Sequence, residues 1–207
     1  MNEELKNNIG KKLTFCLDCS VKKLTLALIE DNTIIGSYND IPQTTQSEAL
    51  ISKVDIILKQ SHKSIQDISD VLFCHGPGSF TSLRIGLATL KGLFWNANIS
   101  LKLCSSLLFR CLSVPDNKEK EIISSIRMGR DRVVAGKLKK QVQDKFDFNE
   151  DIYSLEEFEN SLKKFCVTNE EDKTDPQAFL TILKTKCFIQ SDMKSATLNY
   201  IMEPDIG

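Results

Sequence analysis

The stretch that most constrains the fold runs from Val71 to Leu93, VLFCHGPGSFTSLRIGLATLKGL. A short apolar run, VLFCH, reads as a buried strand bounded by glycine and proline. The turn GPG follows, then a long helix predicted to end near Asn96–Asn98. A strand that passes through a tight turn into a helix is the unit of an α/β architecture. Gly76 and Gly78 allow a close backbone approach that a side chain would forbid, and Ser79 and Thr81 are candidate helix caps. A glycine turn at a helix N-terminus can also hold an anion. The Gly-Lys-Ser/Thr ending of a phosphate loop is missing, however, and the spacing is not GxGxxG. Local chemistry leaves a plain tight turn and an anion site both open.

Placed at 100° steps, Leu83, Leu87, Leu90 and Phe94 of this helix fall in one narrow arc, the core face. Opposite them lie Ile85, Ala88, Thr89 and Gly92, where a surface helix would carry Lys, Glu or Gln. Glycine inside a helix costs roughly 1 kcal/mol against alanine. The small residues instead permit another backbone to come close. Either a partner covers this face or the chain's own domain does. Arg84, Lys91 and Trp95 form a partly polar edge.

Elsewhere the pattern is of strands and short turns. LTFCLDC (13–19), LTLALIE (24–30) and TIIGSY (33–38) suggest an antiparallel meander. LTLALIE is apolar at nearly every position, as expected for a strand covered on both faces. Thr45-x-x-Glu48 is a capping-box pattern before an apolar series at Leu50, Val54, Ile57 and Leu58. ISLKL (99–103) reads as a strand, 106–112 as a short helix, and EIISSI with RVVAGKL as a hairpin about RMGRD. Residues 154–165 read as helix, Leu180 to Lys184 as a short helix and KCFIQS (186–191) as a strand. The polar run from Pro115 to Lys120 marks a lobe boundary. The expected organisation is a polar lead-in at 1–12, an N-terminal lobe at 13–115 and a reduced or diverged C-terminal lobe at 116–207.

Net charge is -1, which gives no overall basic bias toward nucleic acid. No apolar run is long enough for a membrane span, and the N-terminus lacks a signal-type segment, so a cytoplasmic protein is expected. The 7 cysteines are odd in number and sit mostly in apolar runs, which suggests reduced thiols acting as core residues. Cys16-x-x-Cys19 lacks a second pair, and its members fall on opposite faces of a strand. His62 reads as an exposed helix end; His75, beside the glycine turn, is a candidate ligand contact. Arg127, Arg130, Arg132, Lys137, Lys139 and Lys140 could meet phosphates or simply line a solvated hairpin.

GPGSFTSLRIGLATLKGL, at 76–93, resembles the signature GPGSFTGLRIGLATAKGLA of the TsaB (YeaZ-like) family. FCLDCSVKKLTLALIEDN resembles that family's opening, with Asp18 and Ser20 on its Asp and Ser. Together these cover roughly residues 13–112, and the closing Asn199-Tyr200 stands where the family often has Pro-x-Tyr. Three positions depart from the pattern: Ser82 replaces a glycine, Cys19 a small hydroxylated residue, and TTQSEAL lacks the usual histidine. The resemblance implies an α/β fold of the actin-like ATPase and sugar-kinase type, two lobes each with a mixed sheet flanked by helices. It implies a non-catalytic subunit that pairs with the catalytic paralogue TsaD in threonylcarbamoylation of the tRNA adenosine beside the anticodon.

Pairing in the family runs through the first two helices. The implied partner face is therefore Ala49 and Ile56 on helix one and Ile85, Ala88, Thr89 and Gly92 on helix two. The signature turn is Gly76, Pro77, Gly78, Ser79, Phe80, Thr81 and Arg84; Asp18 and Ser20 form a candidate vestigial nucleotide loop. Further implied partners are the ATPase TsaE, a second copy of the chain when TsaD is absent, and tRNA through the complex. No cofactor of its own is expected, with ATP or ADP at the complex. No metal site is expected either, because the His-x-x-x-His pair of the catalytic paralogues is missing. Two alternatives remain: a stand-alone nucleotide-binding kinase or ATPase, and a tRNA-binding module using Arg127 to Lys140.

Overall fold

The computed structural model describes residues 12–115, 121–141, 145–162, 166–168 and 173–199. The meander forms as expected: β1 (Leu13–Asp18), β2 (Leu24–Glu30) and β3 (Thr33–Asp40) pair antiparallel in that order. Asp31 and Asn32, both at positive φ, make the two-residue turn between β2 and β3. Helix α1 (Gln46–Gln60) then crosses to β4 (Ile68–Cys74), which lies parallel to β1. Helix α2 (Phe80–Leu93) crosses to β5 (Ser100–Cys104), parallel to β4. The capping box at Thr45 and Glu48 closes in both directions, at 3.4 and 3.3 Å. Helix α2 stops at Leu93, before the asparagines, where Phe94 caps it and Ala97 N–H turns back to the Phe94 carbonyl.

A second sheet is built from β6 (Ile122–Met128), β7 (Arg132–Lys140), β8 (Phe146–Ser154) and β9 (Cys166–Thr168), in the order β8-β7-β6-β9. The hairpin of β6 and β7 was legible; β8 was not, because Asp147, Glu150 and Asp151 interrupt its alternation on a sheet edge. Helix α4 (Leu155–Ser161) forms within the predicted 154–165, of which 163–165 lie outside the described residues. Helix α5 (Gln177–Thr185) is longer than predicted, and β10 (Ile189–Ser191) pairs with β5 at the edge of the first sheet. A purely sequential split at residue 115 is thus too simple: β10 and the segment through Met193, Ala196 and Leu198 pack with the N-terminal lobe.

The elements stack in five layers. Helices α1 and α2 cover one face of the first sheet with Leu50, Val54, Ile57, Leu83, Leu87 and Leu90. The other face meets α3 (Ser106–Leu112) and α5 through Leu108, Phe109, Phe179 and Ile182. Ile122 and Leu138 of the second sheet join that same cluster, so α3 lies between the sheets. Helix α4 covers the far side of the second sheet through Phe158. Strand β2 serves both faces of the first sheet, Leu24, Leu26 and Leu28 on one and Ala27 and Ile29 on the other. No helix among the described residues is long and apolar enough to cross a membrane.

Candidate functional site: the signature turn and the outer face of α2

The GPGSFT turn is held from three directions. Ser79 N–H donates to the Ser20 carbonyl at 2.7 Å. Gly76 N–H donates to Ser106 Oγ at 3.2 Å, and Ser106 N–H returns to the Gly76 carbonyl at 2.9 Å. Asn199 N–H donates to the His75 carbonyl at 2.9 Å, so the late residue seen in the sequence pattern docks on the turn. A Cβ on Gly78 would stand 2.5 Å from the Ser20 carbonyl oxygen, and one on Gly76 would meet the Asn199 carbonyl at 2.8 Å. Only glycine fits at either place; Gly76, at φ 125°, also needs glycine's conformational freedom.

This closure bears on the anion reading. The loop of Asp18 and Ser20 lies directly beneath the turn, and both residues are fully buried. Backbone N–H groups that a phosphate would use at Gly76 and Ser79 already bond within the chain. The residues present do not fit a nucleotide phosphate between turn and loop. Asp18 accepts from Ser20 N–H at 3.2 Å through one oxygen, while its second oxygen has no hydrogen-bond partner among the described residues. Burial raises its carboxyl to about 6, against the opposing bonds from Ser20 and the field of Arg110.

The helix that follows is capped by Ser79, whose hydroxyl accepts from Ser82 N–H. Thr81 lies within the first turn instead of capping it. Two departures from the family pattern meet here: Cys19 Sγ reaches the Ser82 carbonyl at 3.3 Å. Gly86 lets the helix approach, since a Cβ there would lie 2.5 Å from Cys19 Sγ. Lys91 Nζ donates to the carbonyls of Lys194 and Ala196, both at 3.1 Å, tying one flank of α2 to the late segment. Helix α1 packs alongside α2 on the same face of the sheet.

What remains is the outer face. Ala88 and Gly92 are exposed and Ile85 and Thr89 half-buried; a Cβ built on Gly92 meets nothing within 4 Å. The face is therefore not wrapped by the described part of its own chain. Phe80, with Arg84 stacked 5.1 Å above its ring, and Trp95, 68% exposed, stand at the two ends of α2. On α1, Ile56 is exposed as expected, but Ala49 is not: it is buried in the core cluster beside Leu50. Ile51, on another flank of α1, is a further exposed apolar residue, at 58%. Sequence reasoning missed Ile51 and set Trp95 on the edge; the signal available was a large apolar residue off each helix's core stripe.

The other candidates separate from this site. Cys16 and Cys19 are free buried thiols in clusters on opposite sides of the first sheet. His62 is exposed at φ 52° past the end of α1. His75 is half-buried with Nδ1 2.8 Å from the Cys104 carbonyl, and burial lowers its pKa. Among the basic hairpin residues, Lys139 pairs with Glu121 at 3.3 Å, Lys137 lies 4.6 Å over the Tyr153 ring and Arg127 donates to the Arg130 carbonyl. Strand β8 sets Asp147 opposite Lys139, so this edge of the sheet carries both signs of charge.

The family model described as TsaD, tRNA N6-adenosine threonylcarbamoyltransferase, matches residues 40–204. The chain is 32% identical over 91 residues to the tRNA threonylcarbamoyladenosine biosynthesis protein TsaB of Bacillus subtilis, covering 44% of this chain and 40% of that protein. It is 29% identical over 92 residues to the protein of the same name from Escherichia coli, covering 44% and 39%. The matches thus span about 40% of the length of these relatives. In structure, YeaZ from Pseudomonas aeruginosa superposes with a TM-score of 0.75 at 15% identity, over 92% of this chain and 100% of that one. The fold is thus the α/β fold of YeaZ, with two mixed sheets flanked by helices.

Proposed function

Because the chain belongs to the tRNA N6-adenosine threonylcarbamoyltransferase (TsaD) family, and within it to the TsaB group, we propose that it acts in tRNA threonylcarbamoyladenosine biosynthesis as a non-catalytic subunit that holds a TsaD-type catalytic partner. The observation that carries this reading is the outer face of α2. Ala88 and Gly92 lie open, flanked by Phe80 and Trp95, on a helix otherwise fastened into the core. Exposed apolar surface is expected where another chain will cover it. Small residues at its centre allow a second helix to approach closely, and aromatic residues at its margin supply the larger part of the buried area.

The partner supplies the chemistry in this reading. The glycine turn is closed on Ser20, which argues against a stand-alone kinase. Any ATP or ADP would belong to the joint with the partner, and tRNA and a TsaE-type ATPase would meet the assembled pair. In the partner's absence, a second copy of the chain is the natural cover for the same face.

Ala88→Arg and Gly92→Glu each place a long charged side chain on this open face. Both should abolish association with the TsaD-type protein of the same cell on size-exclusion chromatography, and both should melt within a few degrees of the parent. Normal complex formation by both variants would overturn the reading.

A further inference from the structure

A cleft of about 680 Å³ opens at the foot of the first sheet, on the side facing α5 and away from the signature turn. We propose that this cleft binds a small organic anion, a carboxylate or phosphate carried on a flat apolar body. The site is independent of the partner face and of the reading given for it.

The first argument is Lys102. Its neighbours on this face of the sheet are Cys16, Leu72, Cys74 and Cys104, yet a lysine only 5% exposed stands among them. Lysine is almost never buried without a partner, and its partner here is Asp70, itself 1% exposed. A buried ion pair contributes little to stability that an apolar pair of similar volume would not. Its presence at the floor of a cleft therefore fits a use beyond folding. Asp70 also accepts from Lys12 Nζ at 3.1 Å and from Ser69 Oγ at 2.8 Å. Two ammonium groups thus converge on one carboxylate, leaving a positive excess at the cleft floor.

The second argument is the rest of the lining. Lys186, past the end of α5, reaches the cleft from a fixed left-handed position at φ 57° and pairs with no carboxylate among the described residues. Among the described residues Asp31 is the one acidic side chain in the lining itself. Counting Lys12, Lys102 and Lys186 against Asp31 and Asp70 leaves one positive charge in excess. The walls are apolar: Ile29 and Leu183 line the cleft, and the Phe188 ring lies 5.6 Å beneath the Lys102 ammonium. The volume falls in the range of small-molecule sites, about 300–1,000 Å³. A charged head beside the lysines, with a planar body against Phe188 and Leu183, uses all of these features.

The test titrates the full chain with adenosine monophosphate and with indole-3-acetate, using adenosine and indole as uncharged controls. Amide resonances of Thr14, Asn32 and Gln190 report the site. The expected result is saturable shifts there with at least one anion, and about tenfold weaker binding of its uncharged control, the loss of one charge-assisted contact. Preference for the nucleotide identifies the head as phosphate; preference for indole-3-acetate identifies it as carboxylate. Lys186→Ala, a change at an exposed side chain, should weaken the bound anion about tenfold, while Ala88→Arg leaves it unchanged. No saturable shift with either anion, shifts that map elsewhere, or equal binding by Lys186→Ala would overturn the proposal.

Discussion

Helices α2 and α3 are both too apolar around their circumference for surface helices, yet they meet different fates. Helix α3 is covered by its own chain on every side: Ser106, Leu107, Leu108, Phe109, Arg110 and Cys111 are all buried. Phe109 stacks on Phe179 of α5 at 4.3 Å, and Leu107 lies so close to β7 that a Cβ on Gly136 would be 2.8 Å from it. Helix α2 buries Leu83, Gly86, Leu87 and Leu90 and leaves Ala88 and Gly92 open. What separates the two is residue size on the second face. Large side chains interdigitate with a core already present. Alanine and glycine leave a shallow surface that a separate helix can approach.

The largest effect should come from the helix that is enclosed. Phe109→Ala removes a fully buried ring and should cost about 3–5 kcal/mol in urea unfolding. Ile51→Ala, an apolar truncation on the exposed side of α1, should stay within about 0.5 kcal/mol. Similar losses from the two would mean that α3 is not the enclosed helix and α1 not the open one.

The next effect comes from a carboxyl buried at the end of β1. Arg110 of α3 donates to the Ser125 carbonyl of the second sheet at 3.1 Å, and its field reaches Asp18 at the end of β1. Burial raises the Asp18 carboxyl from an ordinary 3.8 to about 6. Between those values the folded chain holds a proton that the unfolded chain has lost. Asp18 therefore lowers stability as pH rises from about 4 to about 6, by up to about 3 kcal/mol in all. Asp18→Asn cannot ionise and should lose this slope. The difference between parent and variant, measured by denaturant unfolding at pH 4.5 and 7, isolates it from Asp67, Asp70 and Glu157, whose lowered pKa values act in the opposite sense. A difference that does not change with pH would show Asp18 to be ionised in a solvated environment.

How much of this could be read beforehand follows from the same physics. Strand β2, the capping box at Thr45 and the core stripe of α2 are local patterns, and the structure keeps all of them. The outer face of α2 was legible because Ala88 and Gly92 break the expected charge pattern. Ala49 was misassigned because a helical wheel on α1 cannot register α2 lying alongside, which widens the buried arc. The return of β10 to the first sheet depends on a pairing partner distant in sequence, whereas β8, next to its partner β7 in the chain, was hidden by the acidic residues that interrupt its alternation. The closure of Gly78 onto Ser20 was equally hidden, since a glycine that admits a phosphate and one that admits a backbone carbonyl look alike in sequence.

Two glycines within α2 give the smallest and sharpest contrast, since both gain the same helix propensity on mutation to alanine, up to about 1 kcal/mol. At Gly86 the new methyl would lie 2.5 Å from Cys19 Sγ and 3.3 Å from the Phe73 ring, inside a packed core. Overpacking costs about 1–3 kcal/mol, so Gly86→Ala should be net destabilising. At Gly92 the methyl meets nothing within 4 Å among the described residues, and Gly92→Ala should stabilise the isolated chain by about 0.5–1 kcal/mol. On the proposed pairing the same variant should associate more weakly with a TsaD-type partner, because the methyl would stand on the face put forward for close approach. Opposite signs in urea unfolding, together with weaker pairing by Gly92→Ala alone, are what an inner and an outer face require. Equal signs would place both glycines in the same environment and remove the distinction between the open helix and the enclosed one.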